Sequence, residues 1–384
     1  MDFELTEEQA MIRATIRDFA EREVTPVARD NNRYERFPAD LVKKLGEMGV
    51  LGLNLPAEYG GAGADHVSYC IMLEELARSD MGIAVTASAH ISLAGGTISQ
   101  WGSDAQKQKY LPRLASGEML GCLATTEPNV GSDISSIETS ATLQGDEWVL
   151  NGNKVWISNG GVAGIAIIIV QTDKSKGGKG LTAFIVERGT PGLSSVDIHN
   201  KLGVRSSNTA ELILEDCHVP QENMLGPLGK GMSVALSAFD RARLGVAARS
   251  VGVAQACIDA SVSYAQTRKQ FGKFIGSFQL IQELIADMTV ETEAARLLVY
   301  RAAVIKDKGD PATVETSMAK YYSSEIALKA ATNAIQIHGS YGYSDELPVE
   351  RYFRDVRVSS ILEGTSQMHK LIIGRAMTGL NAFV

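Results

Sequence analysis

Cysteine and histidine are scarce in this 384-residue sequence, and neither is arranged as a set of metal ligands. The four cysteines are scattered without a CxxC pair, which disfavours a disulfide framework or a zinc site and fits a reducing cytoplasm. None of the six histidines pairs with another at ligand spacing. We therefore predict four buried thiols and no metal site.

Positive charge and long apolar runs are also limited. Lysine and arginine number 37 against 45 aspartates and glutamates, and the net charge of −8 argues against a nucleic-acid partner. The longest apolar run, Ile165 to Val170, has six residues, whereas a membrane-spanning helix needs about 20. The N-terminus lacks the basic and apolar regions of a signal peptide. These features predict a cytoplasmic protein with no membrane span.

General catalytic signatures are missing as well. No GxGxxG motif follows a predicted strand, and the sequence contains no P-loop, HExxH or GxSxG motif. The chain is 45% hydrophobic and long for one domain, so two or three domains are expected. General motifs therefore leave the reaction unnamed.

Hydrophobic periodicity predicts an α+β protein with three domains: a helical domain over residues 1–119, a β-domain over 120–225 and a helical domain over 226–384. Thr6 and Gln9 have the spacing of a capping box that would begin the first helix, and Ser103 or Asp104 would cap a later one. Residues 151–152, Asn-Gly between two β-rich runs, are typical of a type I′ hairpin turn. Long alanine-rich helical stretches after residue 231 predict an antiparallel bundle.

Five motifs occur in the order and spacing of one known family: ATTEPNVGSD at 124–133, NGNKVWISNG at 151–160, RKQFG at 268–272, QIHGSYG at 336–342 and ILEGTSQ at 361–367. Together they resemble the acyl-CoA dehydrogenases over essentially the whole chain. The resemblance implies an N-terminal helical domain, a middle β-domain and a C-terminal four-helix bundle. It also implies FAD bound without a Rossmann unit, a homotetramer, and electron-transferring flavoprotein as the electron acceptor.

The resemblance implies α,β-dehydrogenation of an acyl-CoA thioester to the 2-enoyl-CoA, with Glu363 as the base that removes the α-proton and FAD as the hydride acceptor. A carboxylate enclosed with an acyl chain is desolvated, which raises its pKa and strengthens it as a base. Gly364, which lacks a Cβ, lets the backbone pass close to the ligand. Some family members carry the base on the first helix of the C-terminal domain, where this sequence has Ala242. That difference supports Glu363.

The resemblance also implies which residues bind FAD and substrate. The set implied for FAD is Thr125, Thr126, Ser132, Trp156, Ser158, Arg268, Phe271, Gln279, Gln336, Gly339, Thr365 and Gln367. Arg268 and Phe271 would reach the FAD of an adjacent subunit. On the substrate side, Ser132 would contact the CoA chain, Arg243 would lie near the CoA adenine and Gly364 beside the base. We also expect His90 to face the acyl pocket.

The sequence bears on the size of the acyl group but does not identify it. Short-chain enzymes tend to carry bulkier residues than the Leu-Ala-Gly-Gly at 93–96, which favours a medium, branched or cyclic acyl group, although close helix packing explains small residues equally well. Glutaryl-CoA enzymes have an arginine in this helix, where Ala84 stands here, yet residues 374–379 resemble that subfamily. Short-chain and glutaryl-type dehydrogenases stay as alternatives. An acyl-CoA oxidase is less favoured, because those chains are usually longer.

Overall fold

Helices fill the N-terminal part of the computed structural model, which describes residues 4–382. They are α1 (Glu7–Phe19), α2 (Thr25–Arg33), α3 (Ala39–Glu47), α4 (His66–Ser79), α5 (Met81–Ser88), α6 (Gly96–Trp101) and α7 (Asp104–Ala115). Capping boxes at Thr6 and Ser103 begin α1 and α7, as predicted. π-helical segments, Ala20–Val24 and Ala89–Gly95, join α1 to α2 and α5 to α6.

The helix from α5 to α6 is strongly apolar. In residues 4–382, Met81–Trp101 is the one helix long and apolar enough to cross a membrane by length and composition. Within its most apolar window, 94% of the residues are buried inside the protein. Such burial is that of a core helix.

A sheet forms the middle of the chain. Its strands are β1 (Gly121–Ala124), β2 (Ser140–Gln144), β3 (Glu147–Ser158), β4 (Ile165–Gln171), β5 (Leu181–Glu187), β6 (Leu193–Asp197), β7 (Thr209–Pro220) and β8 (Met224–Leu225). They follow the order β6-β7-β3-β2-β4-β5-β8, with β1 parallel to β4. β4 is buried throughout, because alternate residues enter one core shared with helices and another shared with strands.

The hairpin predicted at Asn151 and Gly152 is wrong. Both residues lie inside the single strand β3, and the chain turns earlier, at residues 145–146, between β2 and β3. The pairing of β3 with β7 shifts register between Leu150 and Gly152, where β7 has one residue more than β3, so the bulge lies on β7. Gly152 has a φ of 142°, far from a type I′ turn, and a Cβ there would lie 2.7 Å from Thr139 Oγ1. The glycine is needed for this close approach and does not form a turn.

Helices return at Gly231 and confirm the predicted bundle. They are α8 (Gly231–Thr267), α9 (Gln279–Asp307), α10 (Thr313–His338), α11 (Val349–Val356) and α12 (Ser366–Thr378), with a small hairpin of β9 (Lys269–Gln270) and β10 (Lys273–Phe274) before α9. α8 also packs closely on the N-terminal helices. A Cβ on Gly252 would lie 2.3 Å from the Glu74 carbonyl oxygen, and one on Gly245 would lie 2.7 Å from the Tyr69 hydroxyl oxygen. The two glycines therefore let α8 approach α4.

Candidate active site

Glu363 lies in a tight loop between a 3₁₀ turn and α12; residues 361–365 are called the Glu363 loop below. Glu363 and Gly364 have φ of 55° and 95°, so two consecutive residues adopt left-handed conformations. A residue with a side chain adopts such a conformation at a cost of about 1 kcal/mol or more, and this strain clusters at functional sites. Thr365 ends the loop as the N-cap of α12, accepting a backbone hydrogen bond at 3.3 Å.

The Glu363 carboxylate has an oxygen without a partner. Oε2 is buried and has no hydrogen-bond partner among residues 4–382, although the residue as a whole is partly exposed. Burial raises the pKa of Glu363, and the charges of Arg249, Arg243 and Lys320 offset part of that rise. A desolvated carboxylate that can still be reached from outside has the environment expected of a general base.

Two cations on different helices hold the backbone of the Glu363 loop. Lys320 on α10 is fully buried, and its Nζ donates to the Gly364 carbonyl at 2.6 Å. Burial lowers the pKa of Lys320 to about 7. Arg243 on α8 donates to the Glu363 carbonyl at 3.5 Å and to Asp240 at 3.2 Å. The guanidinium of Arg243 therefore lies against this loop, and its predicted place near the CoA adenine stays a prediction.

His369 lies beneath the same loop. It is fully buried, and neither ring nitrogen has a hydrogen-bond partner in the described part of the chain. Burial, together with the charges of Lys320 and Arg243, lowers the pKa of His369 to about 3, so the ring is neutral at physiological pH. A Cβ on Gly364 would lie 3.2 Å from His369 Nε2, so both space and φ favour glycine there. Sequence reasoning missed His369 and Lys320, whose only signal is a polar residue on an apolar helix.

Four of the residues predicted to bind FAD meet where β1 ends beside β3. The Val155 N–H donates to the Thr126 carbonyl at 2.9 Å and ties the two segments together. The Thr125 hydroxyl is buried, with no hydrogen-bond partner among the described residues. Trp156 has a φ of 64° and is 59% exposed, and Ser158 follows it, partly exposed. An exposed indole beside an unpaired hydroxyl is a surface that a planar ring can cover.

A buried ion pair supports this corner of the sheet. Lys154 Nζ lies 2.7 Å from Glu127 Oε1 and donates to the Thr125 carbonyl at 3.2 Å. Glu127 also accepts hydrogen bonds from the backbone of Glu138 and Thr139. Burial lowers the pKa of Lys154 to about 8, and Glu127 opposes that shift. Removing one partner of such a pair leaves a buried charge, so loss of either Lys154 or Glu127 should destabilise this corner strongly.

The remaining residues predicted to bind FAD lie elsewhere. Five are exposed on the C-terminal domain, around the β9–β10 hairpin and the end of α10: Arg268, Phe271, Gln279, Gln336 and Gly339. The Arg268 guanidinium lies 5.7 Å from the centre of the Tyr341 ring, so the two regions adjoin. Phe271 is 93% exposed. Ser132 and Gln367 are also exposed, and the hydroxyl of Thr365 is used as the helix cap.

His90 has a structural role, and its predicted place in the acyl pocket stays a prediction. It is fully buried, and its Nδ1 accepts from the Gly121 N–H at 3.1 Å. Nε2 must then carry the proton, which it donates to the Leu114 carbonyl at 3.0 Å. Burial lowers the pKa of His90 to about 4, so this neutral form persists. The ring ties the π-helical segment to α7 and β1 and has no polar atom left for a substrate.

The small residues at 94–96 serve packing. A Cβ on Gly95 would lie 2.9 Å from Leu55 Cδ2, and one on Gly96 would lie 2.9 Å from Arg241 Nε. The Ala94 methyl group would be 2.5 Å from a Cβ placed on Gly121. These residues therefore allow neighbouring elements to approach closely and do not indicate a roomy acyl pocket.

The four cysteines are buried free thiols, as predicted. In the range 4–382, no group of three or more His, Cys, Asp or Glu residues is placed to hold a metal ion.

Three family models match the chain in order. They describe the acyl-CoA dehydrogenase N-terminal domain over residues 6–118, the middle domain over 122–217 and the C-terminal domain over 229–378.

Individual proteins agree with these models. The chain is 45% identical over 373 residues to a short-chain specific acyl-CoA dehydrogenase of Clostridium acetobutylicum, covering 97% of this chain and 98% of that one. It matches the structure of butyryl-CoA dehydrogenase from Megasphaera elsdenii with a TM-score of 0.97 at 42% identity, covering 98% and 100% of the two chains. It matches a glutaryl-coenzyme A dehydrogenase in complex with glutaryl-CoA with a TM-score of 0.95 at 41% identity, covering 99% and 97%. With its three-domain fold and its motifs in order, the chain belongs to the acyl-CoA dehydrogenase family of oxidoreductases.

Proposed function

We propose that this protein dehydrogenates a short-chain acyl-CoA thioester between its α and β carbons, with Glu363 as the base. The observation that supports this most directly is the buried, unpartnered Oε2 of Glu363 on a left-handed loop. A short acyl chain replaces the medium, branched or cyclic group favoured by the sequence, because residues 94–96 are used in packing. Relatives named for short-chain and butyryl substrates support the same choice.

Glu363 would take the α-proton of the thioester. The Glu363 amide donates no hydrogen bond to a described residue, so it is available to the thioester oxygen as negative charge develops there. A donor placed in this way typically contributes about 3 kcal/mol to the transition state. Ala242, the alternative base position in the family, is buried among apolar side chains and offers no acid or base.

FAD fits the corner formed by the ends of β1 and β3. Thr125, Thr126, Trp156 and Ser158 would hold the flavin ring, since they offer an unpaired buried hydroxyl and an exposed indole. Ser132 would contact the diphosphate and the CoA chain. When bound, FAD supplies the acceptor for the β-hydride, while the protein orients the substrate and excludes water.

The exposed residues around the β9–β10 hairpin would reach the FAD of an adjacent subunit, so a homotetramer is part of the proposal. Electron-transferring flavoprotein would take the electrons in the cytoplasm. Sedimentation of the purified protein should show four chains. Slow reoxidation of the reduced protein in air, and fast reoxidation by electron-transferring flavoprotein, would separate a dehydrogenase from an oxidase.

The proposed base can be tested by anaerobic bleaching of the flavin absorption band with butyryl-CoA. We expect wild-type protein to bleach within seconds and Glu363→Gln to retain FAD without bleaching. Glu215→Gln, an exposed glutamate on β7, is the matched control and should behave as wild type. Bleaching of Glu363→Gln at the wild-type rate would refute the assignment.

A further inference from the structure

Arg249 on α8 is a buried cation that forms no ion pair and no hydrogen bond with a described residue. It is 4% exposed within the apolar stretch 246–253, and its Nε has no hydrogen-bond partner among the described residues. Two other arginines in residues 4–382 are equally buried, and both are paired. Arg243 binds Asp240 at 3.2 Å and Arg351 donates to the Ser79 carbonyl at 3.0 Å. Arg249 is therefore the exception.

An unpaired buried guanidinium is unfavourable, because burial removes its water and nothing replaces it. Buried arginines are retained when an anion completes them, and the guanidinium fork matches a carboxylate in particular. The Glu363 carboxylate is near Arg249 but forms no hydrogen bond with it, so an anionic acceptor is expected to arrive with a ligand.

The surroundings of Arg249 place it beside the reacting groups. Burial lowers the pKa of Arg249, and Tyr69 and Glu363 oppose that shift, so both groups lie near the guanidinium. Gly245 lies one helical turn before Arg249 on the same face of α8, and two hydroxyl groups pack against it. A Cβ there would lie 2.6 Å from Ser88 Oγ and 2.7 Å from the Tyr69 hydroxyl oxygen. Those two hydroxyls are 3.2 Å apart.

These contacts indicate the direction in which the acyl chain of a substrate would run from Glu363. Arg243 meets the Glu363 loop, and Arg249 follows six residues later, about 9 Å along α8. Tyr69 and Ser88 come from α4 and α5, on the N-terminal side of the same space. A substrate whose α-carbon lies at Glu363 would therefore point its far end toward Arg249 and the two hydroxyls. The Arg249 side chain extends over much of the distance between residue 249 of α8 and the Glu363 loop, so a short acyl chain is long enough to reach it.

We propose that Arg249, with the Tyr69 and Ser88 hydroxyls, binds the distal carboxylate of a short dicarboxylic acyl-CoA. This inference rests on the proposed function and names its substrate class. Glu363 would take the α-proton and bound FAD would supply the acceptor of the β-hydride, so that the 2-enoyl-CoA product would keep its distal carboxylate. The sequence argues against such a substrate because Ala84 replaces the arginine of glutaryl-CoA enzymes; Arg249 supplies the charge from a different helix.

The test compares glutaryl-CoA with valeryl-CoA, which have five acyl carbons each and differ in the terminal carboxylate. We expect wild-type kcat/KM for flavin reduction to favour glutaryl-CoA by about 30-fold or more, the effect of a buried charge pair. Arg249→Gln should lower that ratio by a similar factor, and Arg249→Lys should restore part of it. Arg22→Gln, an exposed arginine, should leave the ratio unchanged.

Equilibrium binding in the Glu363→Gln background, followed by the flavin absorption spectrum, provides a second measurement. Kd for glutaryl-CoA should rise about 30-fold or more on adding Arg249→Gln, while Kd for valeryl-CoA should not rise. Equal preference ratios in wild type and Arg249→Gln, or tighter wild-type binding of valeryl-CoA, would overturn the proposal. Absence of bleaching by every acyl-CoA would instead count against the proposed function, and the binding ratio would still decide the role of Arg249.

Discussion

Replacing Lys320 with methionine would remove the ammonium that holds the Gly364 carbonyl while keeping a side chain of similar length. Below its pKa of about 7 Lys320 is protonated, so the lost hydrogen bond of 2.6 Å is charge-assisted there, and such bonds contribute about 1.5–3 kcal/mol. Desolvation of a buried ammonium costs several kcal/mol, which the variant no longer incurs. Because the two effects oppose each other, we expect the free energy of unfolding to change by less than about 2 kcal/mol.

The Glu363 loop, in contrast, loses one of its two cationic anchors without compensation. We expect the rate of flavin reduction by acyl-CoA to fall at least about tenfold, since 1.4 kcal/mol corresponds to a factor of ten. The charge of Lys320 also lowers the pKa of Glu363. Its removal should raise that pKa further and move the acid limb of the pH–rate profile to higher pH.

The free energy of unfolding should depend on pH because of Lys320. Burial lowers its pKa to about 7, whereas an unfolded lysine titrates near about 10.4. Between these values the unfolded chain holds a proton that the folded chain has lost, so wild-type stability should rise with pH. Lys320→Met should lack this rise.

Stopped-flow reduction across pH and urea unfolding at several pH values measure these effects. Lys329→Met on the same helix is the control, because Lys329 is half exposed in an ion pair with Glu291 and should contribute under about 1 kcal/mol. A Lys320→Met protein that reduces flavin at the wild-type rate, with an unchanged pH profile, would show that the loop needs no cation from α10.

Three further substitutions test separate features. Gly364→Ala should retain FAD but slow flavin reduction at least about tenfold, because the new Cβ meets His369 and φ is 95°; an unchanged rate would contradict this. Gly152→Ala should lower the free energy of unfolding by about 2 kcal/mol through its contact with Thr139, measured by thermal denaturation, whereas a hairpin turn would tolerate the change better. His90→Leu should cost about 2–5 kcal/mol, since two buried backbone groups lose their partner, with KM for acyl-CoA unchanged. A large rise in KM would indicate that His90 lines the acyl pocket.

Local signals in the sequence predicted the helices well. Thr6 and Ser103 cap helices through contacts within four residues, so the sequence contains the whole interaction. The Asn-Gly pair at 151–152 misled, because the demand for glycine comes from Thr139 on a neighbouring segment. A turn and a close approach of two segments both select glycine, and only the position of the neighbouring segment distinguishes them.

The residues of the candidate site likewise fall into those that the sequence predicts and those that it does not. Glu363 and its motif could be predicted because the residues are consecutive. Lys320, His369 and Arg249 could not, since each acts across a helix packing that brings distant parts of the chain together. Arg249 illustrates the limit: in the sequence it is one arginine in an alanine-rich helix, and only burial without a partner marks it.

The π-helical segment Ala89–Gly95 determines how α6, which follows it in the same helix, is rotated about the helix axis. A π turn holds one residue more than an α turn, so deleting one residue there would allow regular α-helix with α6 nearly in place. Regular α-helix over the same seven residues would instead rotate α6 by about 100° about its axis. Gly96 would leave Arg241, and Trp101 would lose its 2.9 Å hydrogen bond to Ser237 on α8. The π segment thus accommodates one extra residue without moving the contacts of α6, and a one-residue deletion there should be tolerated better than an insertion.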